Sequence, residues 1–209
     1  MFNPIIARLF LSIVSIFAWV AHAAHAAPTT LLVYGDSLSA GYGIALKESW
    51  PTLLQQRLAA QRRNIVVANA SISGETSAGG RARFAAALQQ SQPSLLILAL
   101  GANDGLRGLP TAALRDNLQV MIRSAKQRSI RVLLVGMRLP PNYGPDYTQA
   151  FSAVFSDLAR QEKVPLLPFL LEPIAGDSNA FQSDGLHPTA AVQGKILDHI
   201  WGTLQTLLR

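Results

Sequence analysis

The chain has 209 residues, of which 49% are hydrophobic and 14% charged, with a net charge of +6 and no cysteine. This is enough chain for one domain with a real apolar core, and the balance excludes intrinsic disorder. The lack of cysteine excludes thiol nucleophiles, thiolate metal sites and disulfides, while the scattered cations, with Arg62-Arg63 as the longest basic run, argue against a nucleic-acid binder.

In chain order, residues 1–27 read as an export signal. Arg8 precedes an apolar run from Leu9 to Val20, about 12 residues, which suits a signal h-region and is too short to span a bilayer. Ala21-His22-Ala23 and Ala24-His25-Ala26 both fit the A-x-A rule, so cleavage is expected at about 23–27 and the protein outside the cytoplasm, periplasmic or secreted. Residues 28–209 are then expected to form a single domain. A strand is expected at Thr30–Tyr34, ending at Gly35, and a helix at Ser49–Arg62, with Ser49 as N-cap and Pro51 in the first turn. Further strands are expected at Ile65–Ala68, Ser94–Leu100, Arg131–Val135 and Pro165–Pro168. The helices between and after them are expected at Ala78–Gln90, Thr111–Arg128, Asp146–Glu162 and Pro188–Leu208.

Strands alternate with helices throughout, and the strands are continuous apolar runs. Such strands are buried on both faces, which implies a parallel sheet covered by helices, a three-layer α/β/α sandwich. In that architecture chemistry collects beyond the carboxyl ends of the strands. Attention therefore falls on the loops 35–43, 69–79, 101–108, 137–144 and 183–188.

The first of these loops reads Gly35-Asp36-Ser37-Leu38-Ser39-Ala40-Gly41. Alone, a serine in such a turn is more often a turn or cap residue than a nucleophile, and the G-x-S-x-G elbow is absent. A serine hydroxyl becomes a nucleophile when an imidazole lies within hydrogen-bond reach and a carboxylate orients that imidazole. The last loop, Ser183-Asp184-Gly185-Leu186-His187-Pro188, can supply both from Asp184 and His187, although Asp-Gly turn chemistry beside a surface histidine accounts for it too. His199, next to Asp198 inside the final helix, reads as a solvated or partly packed helix residue. Acyl transfer also needs oxyanion donors. Gly74 in SISGETS and Asn103 in GANDGLRG follow the second and third strands, and each can donate or simply form a turn.

Taken together, GDSLSAGYG, Gly74 in SISGETS, Asn103 in GANDGLRG and DGLHP resemble the four signature blocks of the GDSL, or SGNH, hydrolases, over essentially the whole chain after the signal. MRLPPNYG and VPLLPF are similar to stretches of its exported bacterial thioesterases, lysophospholipases and arylesterases. The resemblance implies a five-stranded flavodoxin-like sheet of order 2-1-3-4-5, with Ser37 as nucleophile, His187 as base and Asp184 as its partner. It also implies an oxyanion hole from the Ser37 and Gly74 amides and the Asn103 side chain, an acyl groove along residues 139–144, a loop after Gly74 that shifts when substrate binds, and a monomer. The substrate class it implies is a small-molecule acyl ester or thioester: an aryl ester, a lysophospholipid or acyl-CoA. Ala102 and Glu75 depart from the family's commoner glycine and aspartate beside the pocket.

Candidate substrate-binding residues are Leu38, Leu106, Leu139 and Pro140, with Leu109 as a further candidate wall. The mild positive charge is compatible with transient phospholipid contact. No cofactor or metal is expected: there is no G-x-G-x-x-G or P-loop, and His187 and His199 lack metal-ligand spacing. Two rival readings are a carbohydrate O-deacetylase with the same Ser, His and Asp, and a non-catalytic lipid-binding module.

Overall fold

A computed structural model describes residues 28–208, so the signal segment expected at 1–27 lies outside the described residues. Among the described residues there are five strands: β1 (Thr29–Gly35), β2 (Ile65–Asn69), β3 (Leu95–Ala99), β4 (Arg131–Val135) and β5 (Leu166–Leu167). They pair in parallel in the order β2-β1-β3-β4-β5. The expected strand order and three-layer class are both observed. Seven α-helices accompany them: α1 (Ser37–Ala40), α2 (Trp50–Ala60), α3 (Ser77–Ser91), α4 (Ala102–Leu106), α5 (Thr111–Gln127), α6 (Pro145–Glu162) and α7 (Gln193–Leu204).

The apolar runs in the strands follow from burial on both faces. Along β1, Leu31 and Val33 enter a core with Trp50, Leu54 and Leu58 of α2 and Ile196 and Ile200 of α7. Leu32 and Tyr34 point the other way, onto Phe84 of α3, Leu118 of α5 and Phe155 of α6. Successive side chains alternate across a strand, so a strand that feeds two cores has no polar position to spare. Each fully buried leucine of these cores contributes roughly 1.5–3 kcal/mol relative to exposure. Among the described residues, no helix is long and apolar enough to cross a membrane.

Boundaries depart from the sequence expectations where tertiary contacts compete with local preference. The strand expected over Pro165–Pro168 shrinks to Leu166–Leu167, because the prolines at either end have no N–H for the ladder. The helix expected from Pro188 starts at Gln193. Thr189 N–H donates to Ala180 O at 2.8 Å and Phe181 pairs with Pro188, which holds the intervening chain extended; a 3-10 turn at Ala190–Val192 then leads into the helix. Ser49 sits at the N-cap of α2, but its hydroxyl takes no helix N–H: it donates to Leu46 O at 2.7 Å and lies 3.2 Å from Thr52 Oγ1, while the Trp50 N–H is capped by Gln193 Oε1, from α7, at 3.0 Å. The short helices α1 and α4 have too few residues to show a period.

Gly136, just past β4, is packed so closely that an added Cβ would stand 2.4 Å from the Pro168 carbonyl oxygen. Its N–H donates to Leu167 O and its carbonyl accepts from Leu170, so the backbone cannot retreat without breaking the β4–β5 edge. Gly136→Ala is expected to cost about 1–3 kcal/mol in urea unfolding. An unchanged midpoint would show that the edge yields freely.

Candidate active site

β1 lies beside β3 in the sheet, yet the chain runs from β1 to β2 on one side and from β3 to β4 on the other. This switch point is where an open α/β sheet forms its crevice. Ser37 follows β1 and Asn103 follows β3. An added Cβ on Gly35 would stand 2.8 Å from Ser39 Oγ and 2.9 Å from Ala99 O, so a side chain there would block the turn. Asp36 then caps α1, its carboxylate accepting from Leu38 N–H at 3.1 Å, and places Ser37 as the first helical residue.

The loop before α7 arrives from the other side. Asp184 Oδ1 accepts the N–H groups of Leu186 at 2.9 Å and His187 at 3.0 Å, closing the turn through Gly185, whose φ is +67°. Its other oxygen is 2.7 Å from His187 Nδ1, and His187 Nε2 is 2.8 Å from Ser37 Oγ. These donations, first the His187 backbone N–H, hold the Asp184 carboxyl down to about 2. An ionised carboxylate only accepts, so Nδ1 carries the proton and Nε2 of the neutral ring is left to accept from the Ser37 hydroxyl.

The two remaining loops meet over the same crevice. Asn103 Nδ2 donates to Glu75 O at 2.9 Å, which uses one of its two N–H groups. Arg107 donates to Gly74 O at 2.8 Å, and Gly74 holds φ at +78°. Among the described residues, neither the Ser37 nor the Gly74 N–H donates to another protein group. Ser37, Asn103 and His187 line one cleft of about 530 Å3.

A family model, the GDSL-like lipase/acylhydrolase family, matches residues 33–194. The chain belongs to this family. It is 49% identical over 183 residues to the esterase TesA of Pseudomonas aeruginosa, covering 88% of this chain and 91% of that one. Thioesterase 1/protease 1/lysophospholipase L1 of Escherichia coli K12 is 43% identical, with 88% and 86% covered. The solved structure of the psychrotrophic esterase EstA from Pseudoalteromonas sp., inhibited by monoethylphosphonate, matches with a TM-score of 0.82 at 38% identity, covering 86% of this chain and 98% of that one. This GDSL hydrolase acts on carboxylic esters, and its substrate is a small-molecule ester.

Within the hydrolase, all four expected wall residues, Leu38, Leu106, Leu139 and Pro140, line the cleft. Leu109 does not; it lies exposed beyond α4, its carbonyl accepting from the Tyr147 hydroxyl. Neither Gly74 nor Asp184 lines the cleft; Asp184 sits behind the imidazole, on its Nδ1 side. Sequence reading missed Met137, Phe169, Leu171, Phe181 and Leu186, which also line it. Met137 and Phe169 lie just past the carboxyl ends of β4 and β5, and that position was the available signal. His199 is a helix residue, as expected, its Nε2–H donating to Phe169 O at 2.9 Å.

Side-chain bonds tie the loop after Gly74 to its neighbours. The Glu75 carboxylate pairs with Arg83. Ser77 donates to the buried Asp104 through its N–H at 2.7 Å and its hydroxyl at 2.5 Å, and Asn117 donates to Ser77 Oγ at 3.0 Å. Asp104 follows Asn103 directly, so this buried network fixes the loop after Gly74 and the turn that carries Asn103 against each other. Ser77→Ala removes one of the two bonds from a buried carboxylate, and is expected to cost about 1.5–3 kcal/mol in urea unfolding. A loss below about half a kcal/mol would show that water or relaxation replaces the bond.

Asp36 and Asp184 titrate in opposite directions. Burial pushes the Asp36 carboxyl up to about 7, against the lowering effect of the Leu38 N–H. Its folded value lies above the ordinary 3.8, so its contribution to stability is full at low pH and is lost as pH rises from about 4 to about 7. Asp36→Asn keeps a cap acceptor and removes the titration. Its stability relative to wild type is therefore expected to improve by about 4 kcal/mol between pH 4 and pH 8, read by urea unfolding at each pH. A difference that stays constant across that range would rule out the shifted carboxyl.

Proposed function

We propose that this hydrolase cleaves acyl esters and thioesters with Ser37 as nucleophile, His187 as general base and Asp184 as the group that orients the imidazole. The observation that carries this reading is the unbroken chain of bonds from Asp184 through His187 to Ser37, opening onto an apolar cleft. Ser37 Oγ adds to the acyl carbonyl carbon while its proton passes to His187 Nε2. The oxyanion so formed takes the Ser37 and Gly74 N–H groups and the free N–H of the Asn103 amide. His187 then returns the proton to the departing alkoxide or thiolate, and water repeats the sequence on the acyl-Ser37 ester.

Leu38, Leu106, Leu139, Pro140, Met137 and Phe169 suit a hydrocarbon chain better than the hydroxyls of a sugar. That favours aryl and alkyl esters, lysophospholipids and acyl-CoA thioesters over a carbohydrate O-acetyl group. The names of the relatives, esterase and thioesterase/lysophospholipase, support the same classes. The reading also takes residues 1–27 as a signal removed on export, the mature enzyme as a periplasmic or secreted monomer, and phospholipid contact as transient.

Ser37→Ala is expected to abolish both hydrolysis and covalent labelling by an aryl phosphonate; retention of either would assign the nucleophile elsewhere. Asn103→Ala is expected to lower kcat roughly 100-fold or more, since one oxyanion donor is worth about 2.7–4 kcal/mol of barrier. In a series of p-nitrophenyl esters, kcat/KM should rise from acetate towards octanoate and stay low on acetylated xylan. The reverse order would favour the deacetylase.

A further inference from the structure

Tyr42 lies against His187, with ring centroids 4.4 Å apart and planes inclined by 38°. This contact does something the hydrogen bonds at His187 cannot. The bonds to Asp184 and Ser37 both run in the plane of the imidazole, one from each nitrogen, and so leave the ring free to rock about the line that joins them. A ring pressed on one face removes that freedom and keeps water off it.

The chain holds the Tyr42 ring there by its backbone, not by its hydroxyl. Tyr42 N–H donates to Ser37 O at 3.4 Å, which ties it to the nucleophile's own turn. Its carbonyl accepts from Gln182 Nε2 at 2.9 Å, and the same amide donates to Pro188 O at 3.1 Å. Gln182 N–H in turn donates to His187 O at 2.8 Å. The Gln182 side chain passes so close to Gly43 that a Cβ there would stand 2.0 Å from Gln182 Oε1, and Gly43 holds φ at +72°. Residues 42 and 182 thus join the two loops that carry Ser37 and His187. Tyr42 is 51% exposed and is not part of the cleft wall, so core packing does not account for its position.

We propose that Tyr42 is a positioning residue for the general base, acting through His187: it fixes the tilt of the imidazole and opposes its aromatic face to the imidazolium that forms when Ser37 loses its proton. The groups facing the ring are then Ser37 on Nε2, Asp184 on Nδ1 and Tyr42 on one face. An aromatic face near a cation stabilises it modestly when the site is partly desolvated. The effect belongs to the step in which the imidazole is charged, so it falls on kcat and spares KM.

This proposal rests on the assignment of Ser37 and His187 made above, and the experiment separates the two. Tyr42→Leu, Tyr42→Phe and Ser37→Ala are compared on p-nitrophenyl butyrate and in the second-order rate of covalent labelling by an aryl phosphonate, with urea midpoints as the check on folding. Tyr42→Leu is expected to lower both kcat and the labelling rate roughly tenfold, with KM within about twofold and the urea midpoint unchanged. Tyr42→Phe is expected to restore both rates to within about twofold, because the aromatic face and not the hydroxyl does the work. Wild-type rates in Tyr42→Leu would overturn the proposal. So would a loss confined to KM, which would make the ring a wall for substrate, or a failure of Phe to restore the rates. If Ser37→Ala still hydrolyses ester and takes up the label, the assignment of the nucleophile has failed instead, whatever the Tyr42 variants do.

Discussion

Burial of β1 on every side is the constraint from which the rest follows. It pairs with β2 on one edge and β3 on the other, and its inward side chains from Leu31 to Tyr34 have no exposure on either face. A strand so enclosed must be apolar throughout, and it must release the chain at its ends. Only the turns beyond the sheet can carry polar chemistry. Gly35 makes the release abrupt, with no room for a side chain against Ala99 O, and Ser37 emerges one residue beyond a buried carboxylic acid. The rigidity of the core thereby becomes the rigidity of the hydroxyl.

Two aspartates show how one residue type is put to opposite uses by its surroundings. Asp184 is partly exposed and surrounded by donors, so it stays charged and can hold a proton on His187 Nδ1. Asp36 is 1% exposed, and its backbone donors do not offset that burial, so its neutral form is favoured over much of the ordinary pH range. The first is suited to support a charge that appears on its partner. The second shapes the turn and gains nothing from being ionised.

The remaining polar groups work as ties between loops. Asp104, Ser77 and Asn117 lock the Asn103 turn to the start of α3, and Arg107 reaches Gly74 O. Gln182 spans from the turn after Ser37 to the strand-like segment before Pro188. Donors placed before a reaction begins need no rearrangement when charge develops, and that is where the oxyanion site proposed above would gain most. The apolar side chains from Leu38 to Phe169 line the same cleft.

Much of this was legible from the residues alone. Continuous apolar runs imply strands buried on two faces, and helical spacing between them implies the covering layers, because burial and backbone period are local properties of the chain. The candidate nucleophile, base, carboxylate and oxyanion donors were legible as residue types in turns beyond the strands. What the sequence could not decide is everything that depends on distance through space. It left Leu109 and Leu106 equally eligible as cleft wall, could not show that a helix expected from Pro188 is held off by a pairing with Phe181, and offered no reason to connect Tyr42 with His187. Those outcomes depend on which residues meet after the sheet has closed, and a contact between positions some 145 apart leaves no periodic trace in the chain. Sequence determined the layers and the chemical inventory; tertiary packing decided which members of that inventory touch.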